Sequence, residues 1–175
     1  MIVFLAGFMG CGKSSFGKRL ATQLEWDFLD TDKEIERRAG MIIPDIFEQR
    51  GEEWFRALEK EVLDSLPAIQ SDTVVALGGG AVCRDGAMEA LRTVGMTIYL
   101  KMSPERLVQR IDEKGRNKRP KIKGMNDEQL LAYINKILPE REKHYNKATF
   151  VLDCDGVADE RIVGLLLQQV ETLKR

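Results

Sequence analysis

Short apolar runs alternate along the chain with longer segments in which apolar residues recur every three or four positions. The short runs predict strands, and the recurring spacing predicts amphipathic helices. The predicted strands are residues 2–6, 27–30, 73–77, 96–100 and 149–152, and the predicted helices are 13–24, 31–39, 51–66, 85–93, 104–113, 126–145 and 157–173. This alternation indicates an α/β fold, with a five-stranded parallel sheet flanked by helices on both faces.

Local signals refine the ends of two predicted helices. Thr31 and Glu34 predict a capping box, T-x-x-E, at the start of a helix that Gly40 closes. Pro139 lies inside a segment of helical pattern. Because proline removes a helical hydrogen bond, we expect a kink or a new helix there, with Arg141 on a different axis.

Composition predicts one domain that spans residues 1–175, with 43% hydrophobic and 31% charged residues, as in ordinary globular proteins. The formal net charge of −1 provides no field that would attract nucleic acid or a membrane, and no stretch approaches about 20 apolar residues. Cys11, Cys83 and Cys154 are widely spaced, and the start lacks the cationic segment of a secretion signal, so we expect a reduced, cytoplasmic protein. The single histidine, His144, argues against a histidine-based metal site or triad.

Residues 7–14, Gly-Phe-Met-Gly-Cys-Gly-Lys-Ser, match the phosphate-binding pattern G-x-x-x-x-G-K-[ST] between a predicted strand and a predicted helix. Glycines let successive backbone N–H groups face one anion, and the helix start adds partial positive charge. We therefore expect a P-loop NTPase fold in which Lys13 reaches the β- and γ-phosphates of ATP and Ser14 binds Mg²⁺. The predicted nucleotide-binding residues of the loop are Gly10, Cys11, Gly12, Lys13, Ser14 and Ser15. The same environment favours a thiolate at Cys11, which predicts a thiol that alkylating agents modify.

Two carboxylates follow the second predicted strand. Asp30 ends that strand, and Asp32 lies in the first turn of the next helix. The carboxyl end of a parallel strand is where doubly wound sheets bind ligands. An acidic residue in a first helical turn is also stabilised by the helix dipole, which would explain Asp32 without a functional role. Two carboxylates at this edge of the sheet, next to a P-loop, favour function.

Two further features are ambiguous when taken singly. Arg56 borders the apolar stripe of a predicted helix, and an i,i+4 pair with Glu52 on a solvated face would explain it. Gly78, Gly79 and Gly80 directly follow a buried strand and leave bare backbone for a ligand, although a flexible connection would also use glycine.

Residues 110–124 carry seven cations against two acidic residues and include Gly115, Pro120 and Gly124. The absence of a sustained apolar period predicts a mobile basic loop. Two alternative interpretations are a solvated surface loop and a basic patch that binds nucleic acid. No aromatic residue lies among the charged residues, which argues against binding of single-stranded nucleic acid. Beside a P-loop, such a segment is typical of a lid that covers phosphates.

Together these features resemble the shikimate kinase family of P-loop proteins, over nearly the whole chain. The P-loop, Asp30-Thr31-Asp32, Phe55-Arg56, the glycine run 78–80, Arg119-Pro120, and the R-x-x-x-Y of residues 141–145 each resemble a family motif, in the family's order. The P-loop alone is widespread, whereas the combination is specific. Where the family's lid usually reads R-P-L-L, this chain has Lys121-Ile122, which predicts a difference in lid closure or in lid electrostatics.

The resemblance implies phosphorylation of the 3-hydroxyl of shikimate by ATP, with Mg²⁺. It implies a substrate-binding region at about 31–61, a lid at about 110–124, and a monomer. By similarity, Asp32 would orient or deprotonate the hydroxyl, Lys13 and Arg119 would stabilise the transferring group, and Asp30 would hold the metal through water. Substrate contacts would come from Asp32, Arg56, Gly78, Gly79, Gly80 and Arg141, and Arg110 would lie over the adenine.

Three other functions remain open. A sister small-molecule kinase, such as a gluconate kinase, would share the lid but need a site for a more hydroxylated acid. A catalytically silent regulatory relative would be expected to lose Lys13, Asp32 or Arg119, and this chain keeps all three. A P-loop enzyme acting on nucleic acid is disfavoured by the near-zero net charge.

Overall fold

The computed structural model describes residues 1–173, which fold into a five-stranded sheet with nine α-helices. The strands are β1 (Ile2–Ala6), β2 (Asp27–Asp30), β3 (Thr73–Ala76), β4 (Met96–Lys101) and β5 (Phe150–Asp153). The helices are α1 (Lys13–Leu24), α2 (Thr31–Ala39), α3 (Ile43–Gln49), α4 (Gly51–Ser65), α5 (Ala87–Val94), α6 (Pro104–Arg110), α7 (Glu113–Asn117), α8 (Asp127–Tyr145) and α9 (Asp159–Leu173). Short 3₁₀ turns occupy Leu66–Ala68 and Pro120–Ile122.

The sheet is parallel throughout, with the strand order β2-β3-β1-β4-β5. Every residue of β1 and β3 is buried, because helices cover both faces of a parallel sheet. Leu5 near the end of β1 lies opposite Ala76 at the end of β3. The segments that follow these two strands, the P-loop and the glycine run, therefore meet at one edge of the sheet.

A second, smaller core lies outside the sheet. Ile35 of α2, Ile46 of α3, and Phe55 and Val62 of α4 are buried against one another. This cluster makes α2, α3 and α4 a unit that holds its shape beside the sheet's ligand edge.

The α/β class and the five predicted strands are confirmed, but two helices were missed. The prediction left residues 43–49 without structure, yet they form α3, with Pro44 in its first turn. The basic segment predicted to be an irregular loop contains α7, which Asp112 caps through a hydrogen bond from the Gly115 N–H. Both helices are too short to show a periodic pattern.

Two of the local predictions are wrong. Asp30, not Thr31, caps α2: its carboxylate accepts from the N–H groups of Asp32 and Lys33. Helix α8 continues through Pro139 without interruption, because buried Leu138 and Tyr145 pack it on either side of the missing hydrogen bond. The predicted closure of α2 by Gly40 is confirmed, with a φ of 66°.

Among residues 1–173, no helix combines the length and the apolar character needed to cross a bilayer.

Candidate active site

The loop between β1 and α1 has the geometry of an anion cradle. Gly10 and Gly12 have φ values of 81° and 95°, in the left-handed region that glycine adopts without strain. Gly12 is the N-cap of α1, and the first turn of that helix holds no acidic residue. The N–H groups of Lys13, Ser14 and Ser15 have no partner within the helix, as at any helix start. This loop can therefore bind phosphate oxygens.

Lys13 lies beneath this loop with its ammonium group directed back at the backbone. Its Nζ donates to the carbonyl oxygens of Gly7 over 2.8 Å and Phe8 over 3.0 Å. Cys11 Sγ lies 3.9 Å from the same nitrogen, and the Cys11 side chain is fully buried. The expectation of a reactive Cys11 thiol lacks support from the structure, because the sulfur is packed beside Gly7 and is not presented to solvent.

Ser14 and Asp30 are in direct contact. Ser14 Oγ donates to Asp30 Oδ2 over 2.5 Å, while Asp30 Oδ1 accepts from the start of α2. A hydroxyl and a carboxylate are the hard oxygen ligands that Mg²⁺ prefers, and Mg²⁺ bound with a nucleotide needs only one or two protein ligands. The described residues contain no cluster of three or more potential metal-ligating His, Cys, Asp or Glu side chains. The pair therefore fits a metal that is bound together with phosphate, not an independent metal site.

Asp32 points toward the glycine run. The pKa of its carboxyl group is raised from 3.8 to about 6, chiefly by burial and then by the charge of Asp30, while Lys13 opposes the shift. A Cβ atom on Gly78 would lie 2.5 Å from Asp32 Oδ1, so any larger residue there would displace the Asp32 carboxylate. The Gly78 N–H donates to Thr31 Oγ1 over 2.8 Å, which ties this loop to the start of α2. A carboxylate with a pKa near neutrality is suited to accept a proton from a hydroxyl group.

Arg56 of α4 lines the same cavity, which has a volume of about 350 Å³. Its Nη1 donates to Glu59 Oε2 over 2.7 Å, and its Nη2 lies 3.4 Å from Glu52 Oε1. Burial acts to lower the pKa of Arg56, but the hydrogen bond and charge of Glu59 outweigh it and raise the pKa. The guanidinium therefore remains charged at the cavity wall, and the i,i+4 contact with Glu52 that the solvated-face interpretation predicts is only one of its two carboxylate contacts.

Arg141 of α8 lies across the cavity from α4. Its guanidinium carbon is 5.1 Å from the centre of the Phe8 ring, and Nη1 is 3.5 Å from the Gly79 carbonyl oxygen. The buried Tyr145 hydroxyl donates to the same carbonyl. Because α8 is one helix, Arg141 and Tyr145 are fixed together one turn apart, and both support the glycine run.

Part of the basic segment 110–124, the predicted lid, forms one wall of this cavity. Lys118, Arg119, Pro120 and Lys121 contribute to the cavity wall. Burial lowers the pKa of Arg119, whereas the charges of Asp32 and Asp112 act in the opposite direction. Arg119 also donates to the Gly115 carbonyl oxygen. Ile122 is fully buried and anchors the lid's far side in the core.

The cavity does not contain all of the predicted site residues. Those that line it are Ser14, Asp30, Asp32, Arg56, Gly79, Gly80, Arg119 and Arg141. The residues of the predicted site that do not line it include Gly10, Cys11, Gly12, Lys13, Ser15 and Gly78. Arg110 lies next to the P-loop: its Nε donates to the Gly10 carbonyl over 3.1 Å and its Nη1 pairs with Asp159 over 2.8 Å.

Sequence reasoning missed the role of Glu59 and one ion pair that shape this site. Glu59 is an almost buried acid, with a side chain 8% exposed, that holds Arg56. Its position four residues after Phe55 and three before Val62 places a charge on the apolar face of α4, and that mismatch was the available signal. Glu52 and Lys121 form an ion pair of 2.9 Å between α4 and the lid, and their separation of 69 residues left no local signal.

Comparison with known proteins gives a consistent result. A model of the shikimate kinase family matches residues 9–171. A curated shikimate kinase from Bacteroides fragilis is 35% identical over 171 residues, covering 98% of this chain and 94% of the relative. The crystal structure of shikimate kinase from Bacteroides thetaiotaomicron has a TM-score of 0.87 at 31% identity and covers 99% of this chain and 97% of that one. Shikimate kinase from Acinetobacter baumannii in complex with shikimate has a TM-score of 0.85 at 35% identity, with coverage of 99% and 94%.

Proposed function

The chain belongs to the shikimate kinase family of ATP-dependent phosphotransferases, and we propose that it transfers the γ-phosphoryl group of ATP to the 3-hydroxyl of shikimate. One observation carries this proposal: a carboxylate of raised pKa, Asp32, shares a single cavity with the guanidinium groups of Arg56, Arg119 and Arg141. An acceptor with one carboxylate and several hydroxyls needs a base at one end and fixed cations at the other.

On the acceptor side, Asp32 orients the 3-hydroxyl and takes its proton as the new phosphate ester forms. With a pKa of about 6, the carboxyl group is ionised at pH 7 and still basic enough to accept a proton. Arg56 and Arg141 bind the acid's carboxylate, since a guanidinium can grip a carboxylate through two parallel hydrogen bonds. The backbone of Gly79 and Gly80 allows close approach of the ring.

On the donor side, the P-loop N–H groups and Lys13 bind the phosphates, and Arg110 lies beside the nucleotide's base. Arg119 neutralises charge that develops on the transferring group. Ser14 and Asp30, the latter through water, would hold Mg²⁺, which supplies further charge neutralisation when it is bound with ATP. The contribution of the protein is positioning and electrostatic stabilisation, as in phosphoryl transfer generally.

We further propose that one domain carries these parts, with the substrate-binding region at about 31–61 and the lid at 110–124, and that the protein acts as a cytoplasmic monomer. The separate small core of α2, α3 and α4 supports the first assignment. Three free cysteines support a reducing compartment.

The test is ADP release in the presence of Mg²⁺ and ATP with shikimate, gluconate and nucleoside monophosphates as separate acceptors. We expect turnover with shikimate only, and loss of that turnover in Lys13→Ala with an unchanged circular-dichroism spectrum. Preferred turnover of gluconate or of a nucleotide, or normal turnover by Lys13→Ala, would contradict the proposal.

A further inference from the structure

One carboxylate oxygen is shared by two cations that come from different parts of the molecule. Glu52 Oε1 lies 2.9 Å from Lys121 Nζ of the lid and 3.4 Å from Arg56 Nη2 of α4. Glu52 and Arg56 are four residues apart on one helix, so their side chains stay within reach of each other wherever the lid lies. The contact with Lys121, in contrast, exists only where the lid lies over the cavity.

The contact between Glu52 and Arg56 involves a nitrogen of the guanidinium group that also faces the cavity. Arg56 Nη1 is held by Glu59 over 2.7 Å, and Glu59 is nearly buried, so this contact anchors the side chain. A Cβ atom at Gly80 would lie 3.0 Å from Nη1 and 3.3 Å from Nη2, which places both nitrogens at the wall of the cavity. Nη2 is therefore the Arg56 nitrogen that contacts Glu52 and also lies at the cavity wall.

Lys121 is the stronger of the two partners of Glu52. The hydrogen bond from Lys121 is the main cause of the lowered pKa of Glu52, and the contribution of Arg56 is smaller. The shorter distance agrees with this order. If Lys121 leaves with the lid, Arg56 is the cation that remains within reach on the same helix.

We propose that Glu52 is a positioning residue that couples the lid to recognition of the substrate's carboxylate. With the lid over the cavity, Lys121 takes the larger share of Glu52 Oε1, and the contact of Arg56 Nη2 with Glu52 is long, at 3.4 Å, which leaves this nitrogen available to the acid. With the lid withdrawn, Glu52 pairs with Arg56 and competes with the acid. By thermodynamic linkage, binding of the acid then favours the closed lid to the same extent. This inference rests on the proposed role of Arg56 in binding the carboxylate.

The expected size of the effect on substrate binding follows from the solvent exposure of the three side chains. The side chains of Lys121, Glu52 and Arg56 are 44%, 52% and 38% exposed. Ion pairs with this exposure are weak and are screened by salt. Buried Ile122, not the ion pair, holds the lid in place, and Lys121 only shifts the balance. We therefore expect changes of about two- to fivefold, not loss of activity.

The test is a double-mutant cycle with Lys121→Met, Glu52→Gln and the double variant. The readout is KM for shikimate at saturating ATP, at low ionic strength and at about 0.5 M salt. Lys121→Met should raise this KM about two- to fivefold, with KM for ATP unchanged. Glu52→Gln should leave it at or below the wild-type value. In the Glu52→Gln background, Lys121→Met should have no further effect, because the competitor for Arg56 is absent.

Lys123→Met is the matched control, because it removes a charge from the same lid at an exposed position outside the cavity wall. It should leave KM for shikimate unchanged. An undiminished effect of Lys121→Met in the Glu52→Gln background would mean that Lys121 acts on the substrate directly and would overturn the proposal. An equal effect of Lys123→Met, or no effect of Lys121→Met, would overturn it as well. Failure of the wild type to phosphorylate shikimate would instead refute the proposed function, so the two failures are distinguishable.

Discussion

Ser14 Oγ donates a hydrogen bond to Asp30 Oδ2 over 2.5 Å, although the two residues are 16 positions apart in the chain. Asp30 also caps α2 through its other carboxylate oxygen. A single side chain thus joins the first turn after the P-loop to the start of the substrate-binding region. Its two roles, one structural and one toward the metal, can be separated by substitution.

Asp30→Asn should keep the cap, because asparagine is as good an N-cap as aspartate. It should nevertheless raise the Mg²⁺ concentration needed for half-maximal activity, because the charge is gone. Asp30→Ala should show the same Mg²⁺ defect and should also lose about 1 kcal/mol of stability, or about 2–4 °C in Tm. Mg²⁺ titrations and thermal melts of both variants check this. A wild-type dependence on Mg²⁺ in Asp30→Asn would show that Asp30 acts only as the N-cap of α2 and not on the metal.

Asp32 should make the folded protein less stable at neutral pH than at acidic pH. Its folded-state pKa of about 6 exceeds the ordinary value of 3.8, so the stability it contributes when protonated is lost as pH rises from about 4 through 6. Asp32→Asn avoids this loss. Without nucleotide and with EDTA present, the variant should be more stable than wild type at pH 8 by up to about 3 kcal/mol, and this advantage should vanish near pH 4. A variant that is equally or less stable at pH 8 would contradict the pKa assignment. The same variant should lose nearly all turnover.

Arg119 should act on the transition state more than on ATP binding. Arg119→Ala should lower kcat by about 10³–10⁵, the range for an arginine that stabilises a transferring phosphoryl group, with little change in the Kd for ATP. Lys123→Ala, which removes the same charge from an exposed position of the lid, is the control and should keep kcat near wild type. A decrease in kcat of less than about tenfold for Arg119→Ala would indicate that Arg119 belongs to a solvated surface loop and does not act on the transferring group.

The buried P-loop thiol should resist modification. Cys11 and Cys154 are fully enclosed, whereas Cys83 is partly exposed. Alkylation of the native protein by iodoacetamide should therefore reach Cys83 first, slowly at neutral pH because burial raises the pKa of that thiol. Mass spectrometry after timed labelling gives the order of modification. Preferential labelling of Cys11 would show that the loop opens far more readily than its packing suggests.

The parts of the site that sequence could predict are those whose signal is local. The P-loop is recognised from the spacing of neighbouring residues. The carboxylates at the end of β2 are placed by their position at the same edge of the sheet. Thr31 shows where this reasoning ends. Its spacing to Glu34 suggested a cap, but its hydroxyl accepts a hydrogen bond from the Gly78 N–H, 47 residues away, and Asp30 takes the cap.

Arg56 required tertiary information for the same reason. An i,i+4 contact with Glu52 exists, as the surface interpretation expects. Only the packing of α4 shows that Glu59 is nearly buried and turns the guanidinium toward the cavity. Likewise, α3 was missed because seven residues cannot display helical periodicity, whereas their burial against α4 stabilises the helix.

The central claim, that Arg56 receives the substrate's carboxylate, is tested most directly by pairing Arg56→Ala with the carboxamide analogue of shikimate. Loss of one partner of a charge pair costs about 2 kcal/mol or more, so Arg56→Ala should cut kcat/KM for shikimate at least about 30-fold with ATP affinity nearly unchanged. Arg56→Lys should recover part of the loss. The analogue should be a poor substrate for the wild type and scarcely worse for Arg56→Ala, because both changes remove the same contact. If the two losses instead multiply, the carboxylate does not lie on Arg56, and the account of this site is wrong.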